Sequence, residues 1–159
     1  MHERARAIMT SASSEMGVRE LADREAIRDL ARRYAHHMWR KEVAETTELF
    51  TEDGEMDTGD APVLRGRTAI LEAYQGALED SQFHPFVHNH IVELRGDEAT
   101  GTCYLDLRAT MEGRSMIGSG YYDDRYTRVD GAWKFRSRRL TMCYLVPIDR
   151  GWVESSDGS

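Results

Sequence analysis

Basic residues, cysteine, proline and long apolar runs are all in short supply in this chain. Against 28 acidic residues stand 21 lysines and arginines, a formal net charge of −7. Affinity for nucleic acid rests on neutralising phosphates. That balance excludes a general nucleic-acid binder, although Arg136, Arg138 and Arg139 cluster late in the chain. No apolar run approaches the ~20 residues of a membrane-spanning helix. Residues 1–18 lack the apolar centre of a secretion signal. They read as a flexible leader, with Met16 as an alternative start, and a cytoplasmic location is the default expectation. The two cysteines, Cys103 and Cys143, fall in strand-like sequence. Buried free thiols are expected there rather than a disulfide. There is no glycine-rich phosphate loop or dinucleotide fingerprint, and no nucleophile elbow. No Cys-x-x-Cys or His-x-Glu spacing points to a metal, so neither a metal nor a cofactor is expected.

What is present organises into two halves. Ile27, Leu30, Ala31, Tyr34 and Met38 recur at helical spacing and predict a helix over 20–39 with Asp23 as its cap. Shorter helices are predicted over 41–50 and 68–79, the last burying Ile70, Leu71, Tyr74 and Leu78. The period then changes to two. Strands are predicted at 86–95, 98–110, 114–128 and 132–146, joined by turns at Arg95-Gly96-Asp97, Glu112-Gly113 and Asp130-Gly131. Helices first and strands later give an α+β fold. Its expected form is a curved antiparallel sheet with three N-terminal helices, making a cone with an interior pocket. The domain is expected over 19–148, followed by a flexible tail over 149–159.

Histidine is the commonest general base because its charge changes near neutral pH. Three of the six histidines, His84, His88 and His90, lie within seven residues at the junction of the halves. His88 and His90 have the same strand parity and should share a face. His36 and His37 end the first helix, where cations are favoured. On the last predicted strand Arg138, Leu140, Met142 and Tyr144 alternate with Arg139, Thr141 and Cys143. The first set is apolar enough to face the pocket, which would bury Arg138 against an acid such as Asp106 or Asp124, or against an anionic ligand. Tyr121 and Tyr122 should point to opposite faces.

Several segments together resemble the SnoaL-like family of the nuclear-transport-factor-type cone superfamily. They are Glu25–Tyr34, Leu49–Gly54, Leu64–Gly66, the histidine run and Tyr126–Phe135, the last containing Asp130-Gly131-x-Trp133-Lys134-Phe135. The resemblance covers roughly residues 20–146. It implies the cone fold and a branch of cofactor-free lyases: scytalone and bile-acid dehydratases, hexachlorocyclohexane dehydrochlorinases, and lignin diarylpropane lyases that release formaldehyde. In the dehydratase and dehydrochlorinase branches a His–Asp dyad moves the proton. Here Trp39 stands at the aspartate position. His84 matches the histidine to within one residue, with Pro85 in the strict position when Asn89 is aligned. The resemblance implies His84, Arg138 and Tyr34 as catalytic residues, and His88 joins His84 if its strand face is the pocket face. Met38, Trp39, Phe86, Leu107, Tyr121, Leu140, Met142 and Tyr144 would bind an apolar, aromatic substrate. Elimination of water or of a small carbon fragment is the expected reaction. A polyketide cyclase or steroid isomerase, and a ligand-binding module or oxygenase small subunit, are the alternatives. Cones of this kind associate through the outer sheet face, here Tyr104, Asp106 and Arg108, so a homodimer or higher oligomer is expected.

Overall fold

The computed structural model describes residues 2–151, with side chains from residue 13 onward. Helix α1 spans His2–Trp39, α2 Val43–Glu48 and α3 Arg67–Glu79. Strands β1 (Phe50–Asp57) and β2 (Leu64–Arg65) precede four long ones, β3 (Gln82–Arg95), β4 (Glu98–Met111), β5 (Arg114–Val129) and β6 (Ala132–Pro147). The sheet order is β2-β1-β6-β5-β4-β3, with β1 parallel to β6 and every other pair antiparallel. The predicted meander is therefore present but extended by two strands, because the piece beginning at Phe50 docks on β6. Among the described residues no helix is long and apolar enough to cross a membrane.

The apolar stripe of α1 is buried as its spacing requires: Ile27, Leu30, Ala31, Tyr34 and Met38 all lie against the sheet. Each large apolar side chain removed from water contributes roughly 1.5–3 kcal/mol. Asp23 is not a cap, because the helix continues back to His2. Its carboxylate instead accepts hydrogen bonds from Arg128 Nη2 at 2.8 Å and Trp133 Nε1 at 3.1 Å. The stretch expected as a flexible leader is helical from His2, with the side chains of residues 13–18 exposed. Of the expected tail, 149–150 belong to a turn and 152–159 lie outside the described residues. The three sequence-predicted hairpin turns all form. Gly96, Gly113 and Gly131 take positive φ, as do Glu112 and Asp130.

Bulges control which residues face inward. β3 carries one extra residue between Val87 and His90, and β6 carries extra residues near Arg136 and Cys143. Each extra residue exchanges the two faces of its strand from that point on. At the Cys143 bulge the partner strand must be glycine. A Cβ on Gly120 would lie 2.2 Å from the Thr141 carbonyl oxygen, and one on Gly118 2.6 Å from that of Tyr144. Cys143 is consequently exposed, contrary to the expectation of burial, whereas Cys103 is buried; both are free thiols.

At the centre lies a fully buried ion pair. Arg138 and Asp124 face each other across β5 and β6. Nε and Nη2 each donate to one carboxylate oxygen at 2.8 Å. The guanidinium carbon sits 3.8 Å from the Tyr122 ring centroid, 4.1 Å from Phe135 and 4.4 Å from Tyr34. Removing one partner of such a pair leaves an uncompensated buried charge, at a cost of about 3–5 kcal/mol. Asp124→Asn is therefore expected to lower unfolding free energy by about that amount in urea titrations. A loss under ~1 kcal/mol would show that the pair is not a keystone.

Candidate functional site: a tyrosine-lined cavity

A cavity of about 270 Å³ opens between α1, α3, the 58–64 segment and the inner sheet face. Its walls are mainly apolar, with Met38, Met56, Phe83, Pro85, Leu105, Leu107 and Leu140 prominent. The titratable side chains lining it are three tyrosines: Tyr34, Tyr74 and Tyr122. Tyr34 arrives from α1 and Tyr74 from α3, and their hydroxyls meet at 2.7 Å. Only one of the two protons is used in that bond, so the pair keeps one to donate. Burial raises all three phenol pKa values, and the Arg138 charge, which lies against the Tyr34 and Tyr122 rings, opposes the rise. For Tyr34 the Arg138 charge is the chief opposing influence, with the hydrogen bond to Tyr74 next.

Of the catalytic candidates, Tyr34 lines the cavity, and Arg138 lies directly behind Tyr34 and Tyr122. Nη1 of Arg138 has no hydrogen-bond partner. The two histidine candidates lie elsewhere. The inward positions on β3 before the bulge are Phe83 and Pro85, so His84 is turned out. It stacks on Trp39 with centroids 4.2 Å apart and planes 16° apart. The Trp39 indole N–H donates to the Pro85 carbonyl oxygen at 2.8 Å. The two positions where a dyad was sought thus meet as an indole and a proline, with no acid or base between them. His88 pairs with Asp106 at 3.0 Å on the exposed outer face.

The binding candidates divide in the same way. Met38, Leu107 and Leu140 line the cavity. Trp39 and Phe86 pack edge to face in an outer groove, with Arg108 over Phe86. Tyr121 lies beside Tyr104 on the outer face, and it is Tyr122 that enters the cavity. The β6 bulge sends Tyr144 outward, where its hydroxyl meets Ser119 at 2.9 Å. Met142 packs on the core without lining the cavity. The expected shared face of His88 and His90 fails because the β3 bulge lies between them.

His90 instead turns inward and begins a polar chain. Its Nε2 lies 2.9 Å from the Tyr126 hydroxyl, which donates to Asp124 at 2.8 Å. The tyrosine has one proton and spends it on the carboxylate, so His90 must donate from Nε2. The chain His90–Tyr126–Asp124–Arg138 was not anticipated, and neither was Tyr74 as a cavity residue. The helical stripe of α3 marked Tyr74 as buried, but a core and a cavity wall share one pattern.

Residues 19–139 match the SnoaL-like domain family. No curated protein matches the chain. Among solved structures, Rv3472 of Mycobacterium tuberculosis, a protein of unknown function, is 29% identical, with a TM-score of 0.73 over 80% of this chain and 76% of its own. A hexachlorocyclohexane dehydrochlorinase (LinA, type 2) is 19% identical, with a TM-score of 0.79 over 89% and 99%. An NTF2-like protein with a cystatin-like fold from Novosphingobium aromaticivorans is 24% identical, with a TM-score of 0.71 over 81% and 87%. The last two share the fold.

Desolvation, the largest influence, pushes the His90 pKa from 6.5 down to about 4. The unfolded chain therefore binds a proton that the native state refuses between those values. Stability supplied by neutral His90 is complete above pH 6.5 and is lost as pH falls toward 4. His90→Gln, which keeps an N–H donor for Tyr126, is expected to flatten the acid limb of a stability–pH curve in that window. An unchanged limb would contradict the assignment.

Proposed function

The chain belongs to the SnoaL-like domain family, and from that premise we propose that it is a cofactor-independent lyase acting on a small, neutral, ring-bearing molecule. The Tyr34–Tyr74 hydroxyl pair is its proton-transfer group. The observation that carries this reading is the 2.7 Å hydroxyl pair in a mainly apolar cavity, backed by a buried guanidinium 4.4 Å from the Tyr34 ring centroid.

In the proposed reaction Tyr74 donates its proton to a leaving hydroxyl while Tyr34 passes its own proton to Tyr74. The carbon–oxygen bond breaks, water departs, and negative charge comes to rest on Tyr34 beside Arg138. The cation left on a benzylic carbon is stabilised by the ring it adjoins and by the tyrosine faces. Proton loss from the neighbouring carbon back to the phenol pair forms the double bond and restores both hydroxyls. Alternatively, loss of a hydroxymethyl group as formaldehyde fills the same electron deficit, its hydroxyl proton returning to the pair. No imidazole is needed for either route, which agrees with Pro85 occupying the inward position of His84. Low-dielectric surroundings strengthen such preorganised donors.

Size and charge narrow the substrate. The cavity, at about 270 Å³, falls just below the roughly 300–1,000 Å³ typical of drug-sized ligands. A single-ring molecule fits that volume better than a diarylpropane or a steroid. Among the described residues no lysine, arginine or histidine lines the wall, and the charge of Arg138 is matched by Asp124, which disfavours an anionic substrate. A second reading, a ligand-binding module, is favoured by one observation: among the described residues no carboxylate or imidazole lines the cavity to act as a separate base.

Mass-spectrometric turnover of single-ring benzylic alcohols and diols by the purified chain separates the two. Loss of water or formaldehyde is expected, with Tyr34→Phe and Tyr74→Phe each reducing the rate by ~100-fold or more and His84→Gln leaving it within about twofold. Binding with no mass change favours the module. Conversion abolished by His84→Gln and retained by Tyr74→Phe would overturn the tyrosine assignment.

A further inference from the structure

The end of α1 holds a second group of ligating side chains, remote in chemistry from the cavity. His36, His37 and Glu42 each offer a ligand atom, and these atoms all lie within 4.8 Å of one another. We propose that His36, His37 and the Glu42 carboxylate form a binding site for a borderline divalent cation such as zinc.

The local fold explains why residues so close in sequence converge. The helix ends at Trp39, and Lys41 takes a left-handed conformation with φ of 56°. The turn brings the Glu42 N–H to the His37 carbonyl oxygen at 2.9 Å. The Glu42 side chain is thereby folded back so that Oε2 lies 2.7 Å from His37 Nδ1. The two imidazoles are edge to face, with centroids 5.3 Å apart. Two imidazoles and one carboxylate suit zinc, at ligand distances near 2.0–2.2 Å. Calcium and magnesium prefer oxygen ligands alone.

Two features favour a bound cation. The other carboxylate oxygen, Oε1, accepts from Arg40 Nε at 2.5 Å. That contact holds the carboxylate in place and leaves Oε2 as the ligand, the outer-shell support that metal-binding carboxylates ordinarily have. His36 is exposed. Its ring can rotate to close the triangle. A cation here would tie the end of α1 to the start of α2, next to the Trp39–Pro85 hydrogen bond. It would reinforce the native state by mass action.

The test is isothermal titration of untagged, chelator-treated full-length chain with zinc chloride, paired with thermal melts. One zinc per chain and a raised Tm are expected. His36→Ala, an exposed position, and the isosteric Glu42→Gln should each weaken binding by at least ~10-fold and remove the rise in Tm, with circular dichroism unchanged. Absence of binding, or binding that both variants retain, would overturn the site.

Discussion

The bidentate contact between Arg138 and Asp124, wholly removed from water, is the constraint on which the rest of the structure depends. An unpaired arginine at that depth would be prohibitively costly, so β5 and β6 must hold their register there. The surrounding rings then have a fixed place. Tyr122 and Phe135 come from the same two strands, and Tyr34 descends from α1. One charge thereby organises the helix, the sheet and the inner wall of the cavity. The polar chain through Tyr126 to His90 carries the same organisation to β3.

That arrangement also places a positive charge behind a phenol pair instead of inside the cavity. The consequence is chemical. A guanidinium open to the cavity would select anions, whereas one screened by aromatic rings and neutralised by Asp124 can only bias the acidity of the tyrosines in front of it. The function proposed for the cavity therefore follows from the same ion pair that secures the fold. The histidines, which dominate the sequence near this site, are assigned by the backbone to other duties. His84 stacks on an indole, His88 sits on the outer face, and His90 donates to a buried tyrosine.

Much of this architecture is legible in the sequence, and the faces misassigned on β3 after Val87 and on β6 after Met142 share one cause. Helical spacing placed the α1 stripe correctly, and the residue pairs at three hairpins gave the turns. Alternation bounds β4, β5 and β6 to within one residue but starts β3 four residues late, and it offers Asp124, beside Asp106, as a partner for Arg138. Parity then broke wherever a bulge added a residue. The extra residue before His90 separated it from His88, and the one at Cys143 sent Tyr144 outward. Gly118 and Gly120 were the available signal for the second bulge, since no other residue permits so close an approach of the opposite backbone. Beside the first bulge the partner strand carries one such glycine, Gly101, where a Cβ would lie 2.6 Å from the Ile91 carbonyl oxygen. A shift of one residue between His84 and Pro85 was visible in the family resemblance. Its meaning required the Trp39 hydrogen bond to Pro85, a contact between residues 46 positions apart.

The most direct test of the central claim observes the side chains themselves. With tyrosine ring carbons and histidine imidazole carbons isotopically labelled, the protein would be titrated with a single-ring aryl ketone, a neutral probe carrying one hydrogen-bond acceptor, and followed by NMR. Saturable shifts of the Tyr34 and Tyr74 resonances, with His84 and His88 unmoved, are the expected result. A shift at His84 with Tyr74 unmoved would place the ligand against the histidine and contradict the account.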